Sequence, residues 1–143
     1  MDHINADVTL YMQHKVGGVP GWARVVLSGV YAQQKIVRSH GSDGVLKFTR
    51  ETEVRVDQDL VLFDEAGSEI VYCAPDEFSR AEEVSGIWTL KQGDVVVFGA
   101  QTQEIGPGYD IAQLRRDYGT YATIQAVSDL RGGPLGHWQV TAI

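Results

Sequence analysis

The sequence predicts a mainly β protein, a small antiparallel barrel or sandwich of about seven to nine short strands decorated by two short helices. Three observations predict it. Phe48, Thr52, Val54 and Val56 alternate with Glu51, Glu53, Arg55 and Asp57, the two-residue period of a strand with one face toward water. Val95 to Phe98 is apolar at four consecutive positions behind a Gly93-Asp94 turn, as expected of a strand covered on both faces. Turn chemistry then punctuates the chain at short intervals, at Gly17–Gly21, Asp43-Gly44, Glu65–Ser68 and Arg131–Pro134.

The elements follow in order. Val8, Leu10 and Met12 alternate with Thr9, Tyr11 and Gln13, a half-buried first strand. After the Gly17–Gly21 break, Trp22 to Tyr31 reads as its hairpin partner, centred on Val25-Val26-Leu27, and Lys35 to Arg38 as a separate short strand. His40–Gly44 is a loop whose Asp-Gly suits a hairpin turn. Leu60–Phe63 continues the sheet or folds back, and Ile70–Cys73 returns after the next turn. Pro75 opens a short helix to about Glu83, with Asp76 and Glu77 at its dipole-favoured start and Gly86 ending it. Asp110 and Gln113 form an approximate capping box for a second helix. Ile111, Leu114 and Tyr118 share its apolar face, Arg115 and Arg116 lie near its end, and Gly119 closes it. Tyr121–Ser128 and His137–Thr141 are the last strands.

With 143 residues, the chain suits one domain over residues 1–143, large enough to bury a core without staples. A single cysteine, Cys73, forms no internal disulfide. No apolar run approaches the ~20 residues of a membrane helix. The N-terminus lacks a basic segment followed by an apolar one, so the expectation is a soluble protein of the bacterial cytoplasm.

Charge is unevenly distributed. Between Asp57 and Glu83 nine carboxylates face only Arg80, a net −8 in a chain whose total is −7. Such acidity argues against a nucleic-acid-binding surface, which shows a basic stripe. It fits a solvated face that aids solubility, a surface that meets a basic partner, or one that repels DNA.

Little in the sequence suggests catalysis. It holds no nucleophile elbow, P-loop, dinucleotide fingerprint or zinc-protease motif, and its sixteen glycines fall at turns. Cys73 reads as a buried structural thiol rather than a nucleophile. His137, beside Trp138, is the most tempting catalytic candidate, although a histidine in a final strand is more often a hydrogen-bonded or solvent-facing one. His3, His14 and His40 have no metal-ligand spacing. Asp76-Glu77 and Glu82-Glu83 read as an exposed helix face. Trp22, Trp88 and Trp138 form either core packing or a stacking platform for sugar or single-stranded nucleic acid, with core packing the ordinary role.

Three segments carry a resemblance. They are Asn5–Tyr11, then Gly86–Leu90 with Gly93–Gly99, and finally Ile124–Asp129 with Gly136–Val140; Gly29-Val30-Tyr31 also fits. Together they resemble a group of small prophage-encoded proteins similar to the head-closure, head–tail connector or stopper proteins of long-tailed phages. The likeness is poorest from Asp57 to Glu69. It implies a β-barrel that assembles as a ring at the virion neck beneath the portal, without catalytic residues or cofactors. The implied partners are the portal or adaptor and tail proteins, with DNA as passing cargo, and self-association that awaits assembly. Asp57, Asp59, Asp64, Glu65, Glu69, Glu77 and Glu82 are the candidate interface or channel residues, and the loops at Gly17–Gly21, His40–Gly44 and Asp57–Gly67 the segments that would order on assembly. Alternatives are a tail-terminator or tail-completion protein, a β-sheet module binding peptide or sugar through Trp22 or Trp138, and a small enzyme built on His137.

Overall fold

The structure, a computed structural model, describes residues 3–16 and 18–143, with the backbone alone at residues 3–5 and 16. Among the described residues nine strands and two helices run in the order β1 (His3–Val16), β2 (Val19–His40), β3 (Leu46–Asp57), β4 (Leu62–Phe63), β5 (Glu69–Tyr72), α1 (Pro75–Arg80), β6 (Ile87–Trp88), β7 (Val95–Phe98), α2 (Ile111–Asp117), β8 (Ala122–Leu130) and β9 (His137–Ala142). Six of the strands close into an antiparallel barrel in the order β1-β2-β3-β9-β8-β7, with β7 returning to pair with β1. A small side sheet, β4-β5-β6, branches from the long connection between β3 and β7 and contains a parallel pair, β5–β6. The predicted mainly β, antiparallel class is the one observed. No helix among the described residues is long and apolar enough to cross a membrane.

Period-two alternation fills the barrel. Val8, Leu10 and Met12 from β1, Thr52, Val54 and Val56 from β3, and Trp138, Val140 and Ala142 from β9 are all buried. Val54 stands opposite Val140, and Val56 opposite Trp138, across the β3–β9 seam.

On β2 the inward phase changes partway. Val25 and Leu27 point inward at odd positions, then Val30 and Ala32 at even ones. The change falls at Gly29, whose φ of 72° allows an extra residue where the β1–β2 register slips. Another register slip, between Ile124 and Ala126 of β8, likewise moves the core from Ile124 to Val127. Such irregularities let strands bend sharply enough to close a small barrel.

The connection between β3 and β7 packs over the end of the barrel where β1 finishes and β9 starts. Leu62, Phe78, Trp88 and Leu90 from it join the barrel's own apolar cluster. On the opposite side of the wall, Tyr11, Val95 and Val97 face outward and are covered by Leu114 of α2, with Trp22, Ile105, Tyr109 and Tyr118 around them. Val95–Phe98 is therefore covered on both faces, as its unbroken apolar run predicts. α2 starts with a complete capping box. The Asp110 side chain accepts the Gln113 N–H at 2.9 Å, and the Gln113 side chain accepts the Asp110 N–H at 2.9 Å.

Several boundaries differ from expectation. β1 is not half-buried: Thr9 and Tyr11 are as covered as Leu10, because α2 and its loop lie on the outer face. Trp22–Tyr31 and Lys35–Arg38 are one strand of 22 residues, β2, rather than two. The β4 strand is only Leu62–Phe63, and β8 extends to Leu130. α1 ends at Arg80, where Ala81 turns extended (ψ 135°), so Glu82 and Glu83 lie beyond it. Gly17 of the first turn lies outside the described residues.

Candidate interaction surfaces

The length of β2 creates a feature that strand-by-strand reading does not reveal. Among the described residues, β1 pairs with β2 as far as Ala32, and β9 pairs with β3 from Thr52 onward. Residues 33–51 thus continue as a two-stranded arm that leaves the barrel and is closed by a turn in which Asp43 accepts the Val45 N–H at 2.9 Å. Its register is regular, pairing Gln34 with Thr52, Ile36 with Arg50, Arg38 with Phe48 and His40 with Leu46. The face that holds Ala32 and Val54 inside the barrel is therefore, farther out, the face holding Ile36, Leu46 and Phe48. There it is open to solvent: Ile36 is 68 % exposed and Phe48 62 %. Residues 35–50 also carry a net charge of +3, from Lys35, Arg38, Lys47 and Arg50 against Asp43. The Arg50 guanidinium donates to the Gly119 carbonyl at 3.0 Å and fastens the arm's base to the barrel.

The acidic segment forms the second surface. All seven of its candidate residues are solvent-exposed, and they separate into three places. Asp57 ends β3 and accepts the Asp59 N–H at 2.8 Å, and Asp59 borders a shallow depression of about 690 Å³ with Gln58, Asp129, Arg131 and Gly132. Asp64, Glu65 and Glu69 gather on the β4–β5 hairpin. There the Asp64 carboxylate accepts the N–H groups of Ala66 and Ser68, both at 2.9 Å, and fixes the turn. Glu77 lies in the first turn of α1 and Glu82 just past its end.

The hairpin and the first half of β2 enclose a groove of about 840 Å³. Val26, Val61 and Phe63 give it apolar walls, and Glu65 and Glu104 add carboxylates. Val61 is 53 % exposed and Phe63 62 %. Glu69 stands directly opposite Phe63. Arg24, inside the groove, is held by Glu104 at 2.6 Å and by the Gln101 carbonyl at 2.8 Å.

A family model covers residues 3–143, nearly the whole chain. The chain belongs to the DUF6751 family, a family of unknown function. No curated protein and no solved structure matches it.

The residues weighed for chemistry sit as follows in this DUF6751 chain. Trp88 and Trp138 are buried and pack edge-to-face at 5.5 Å, and Tyr72 lies 4.5 Å from Trp138. The Arg131 guanidinium covers this cluster, 4.7 Å from the Trp138 ring, while Asp129 holds it at 2.7 Å. Trp88 and Trp138 thus serve the core, and Trp22 packs partly buried beside α2, so the three indoles form no stacking platform. Burial, with Glu77 and Asp76 nearby, pushes the half-buried Cys73 thiol above its ordinary range, which favours the unreactive form. His137 stands opposite Asp57 in the β3–β9 ladder, with its Nδ1 3.1 Å from the Leu135 carbonyl. His14 lies against Phe78 on β1, and His40 ends β2; the His3 side chain is outside the described residues. Among the described residues no three His, Cys, Asp or Glu side chains group so as to hold a metal ion.

Among the described residues Asp94 is a buried carboxylate. Asp94, 1 % exposed, pairs with Lys91 and accepts the Gln13 N–H at 3.0 Å. Burial pushes its carboxyl above the usual carboxylate range, against the lowering effect of Lys91 and of the Gln13 hydrogen bond. The pair ties the turn before β7 to β1, a structural role.

Proposed function

We propose that this protein is a non-enzymatic structural subunit of a phage or prophage virion, a head-closure or head–tail connector component at the neck. The observation that carries the reading is the arm: a regular ribbon, built as the continuation of a closed barrel, that holds Ile36, Leu46 and Phe48 in solvent. A side chain such as Phe48 gains from burial only when another surface covers it, as expected of a part that works by joining other parts. The three-segment sequence resemblance described above supplies the phage context, and the acidic segment suits an interface as well as a channel wall.

The test is genetic and morphological. Deleting the gene from an inducible prophage is expected to leave DNA-filled heads that lack tails and lose their DNA, with infectivity restored by the intact gene. A normal yield of infectious particles sinks the proposal. Normal heads beside tails of uncontrolled length would move the protein from the head to the tail terminus.

A further inference from the structure

We infer that the arm of one copy seats in the groove between β2 and the β4–β5 hairpin of a second copy. The two surfaces match in three respects. Each presents apolar side chains to water: Ile36, Leu46 and Phe48 on the arm, Val61 and Phe63 at the groove. Their charges oppose: residues 35–50 carry a net +3, and the groove's hairpin, residues 62–72, a net −3 from Asp64, Glu65 and Glu69. Within these, Arg38 stands opposite Phe48 on the same face of the arm, and Glu69 stands opposite Phe63 on the hairpin, with Glu65 two residues on.

They also lie at opposite ends of one strand. The groove borders β2 at Arg24–Ser28, and the arm ends at His40, twelve residues and about 40 Å farther along an extended chain. The arm therefore cannot reach its own groove, and complementary surfaces set apart in this way join copies head to tail. In the contact, Phe48 and Leu46 cover Val61 and Phe63, and Arg38, on the same face, approaches Glu65 and Glu69. The charge pairs at the rim set orientation and salt sensitivity, and the aromatic anchors supply most of the affinity.

This deepens the assembly role proposed above, but its test needs no phage. Sedimentation of the purified full chain is expected to show concentration-dependent association that weakens as salt rises. Phe48→Asp, which spoils only the arm, and Phe63→Asp, which spoils only the groove, should each weaken association by about tenfold or more. Mixed together, the two variants should form a one-to-one dimer and nothing larger, because one intact arm then meets one intact groove. Both sites are exposed, so each variant should keep the wild-type cooperative melt. A wild-type chain that stays monomeric up to ~1 mM, association that survives in either variant, or a mixture that stays monomeric overturns the inference. Failure here leaves the virion phenotype untouched, and a failed deletion phenotype leaves the contact standing.

Discussion

The Gly29 N–H donates to the Asp7 carboxylate at 3.3 Å, at the point where β2 exchanges its odd inward positions for even ones. Gly29 holds φ 72°, and a Cβ built there meets nothing within 4 Å. A side chain is thus resisted by the backbone alone, since L-residues reach the left-handed region at a penalty. Gly29→Ala is expected to cost about 1 to 2 kcal/mol, measured by chemical denaturation. A neutral result would mean that the bulge relaxes without glycine.

Removing the arm's exposed apolar groups should leave the barrel intact. Phe48→Ser and Ile36→Ser are expected to shift unfolding stability by no more than about 0.5 kcal/mol, in contrast to Val54→Ser on the same face inside the barrel, where burying an unpartnered hydroxyl in place of two methyls is strongly destabilising. Thermal melts of the three variants decide it. A large loss at Phe48 would show that the arm holds the fold.

α2 covers the outer face of β1 and β7, so its cap matters beyond the helix itself. Asp110→Ala removes the acceptor for the Gln113 N–H and should cost about 1 kcal/mol. The loosened helix uncovers Val95 and Val97, so binding of a hydrophobic dye should rise in parallel. The readouts are the denaturation midpoint and the dye signal. Unchanged stability would mean the cap is redundant with the Leu114 contact.

Stability should depend on pH through His14. Burial first, and Lys91 second, hold its imidazole below the ordinary histidine range. The folded state then binds fewer protons than the unfolded one just below pH ~6.5, so this contribution is present above that pH and is lost as pH falls through the folded value. The melting temperature should drop between about pH 7 and pH 5, and less steeply in His14→Phe, which keeps a ring beside Phe78. Parallel profiles for the two proteins would rule out His14 as the source.

The tryptophans offer a spectroscopic check. Trp88 and Trp138 are buried against each other, so native emission should be blue-shifted and largely protected from iodide, with Trp22 the most accessible of the three. Trp138→Ala, which empties a site between Tyr72, Trp88 and Arg131, should cost about 3 to 5 kcal/mol. Red emission and free quenching in the native protein would contradict the packing.

Much of this was legible in particular residues. The alternation around Val54, the apolar run at Val95–Phe98 and the Asp110–Gln113 box each encode a local rule that the fold obeys. β2 was harder. Gln33 and Gln34 look like an interruption, and only the pairing partners across β3 carry the strand through them. The Gly29 bulge was hidden because a glycine amid apolar residues signals a phase change only once both ladders are known. The arm was hidden for a deeper reason. Phe48 alternates with polar neighbours as Val54 does, and the pattern states which side is apolar without stating what covers it. The acidic segment was visible as charge, but its division into a hairpin, a helix and a strand end depends on where β4, β5 and α1 pack.

Ring closure has one more effect. Closing the sheet pairs β7 with both β1 and β8, whereas the arm leaves both of its outer rims without a strand partner among the described residues. Such rims are templates for runaway strand addition and fibre growth. Lys35 and Arg38 on one strand and Lys47 and Arg50 on the other place positive charge along both rims, and like charge disfavours edge-to-edge pairing of two such ribbons.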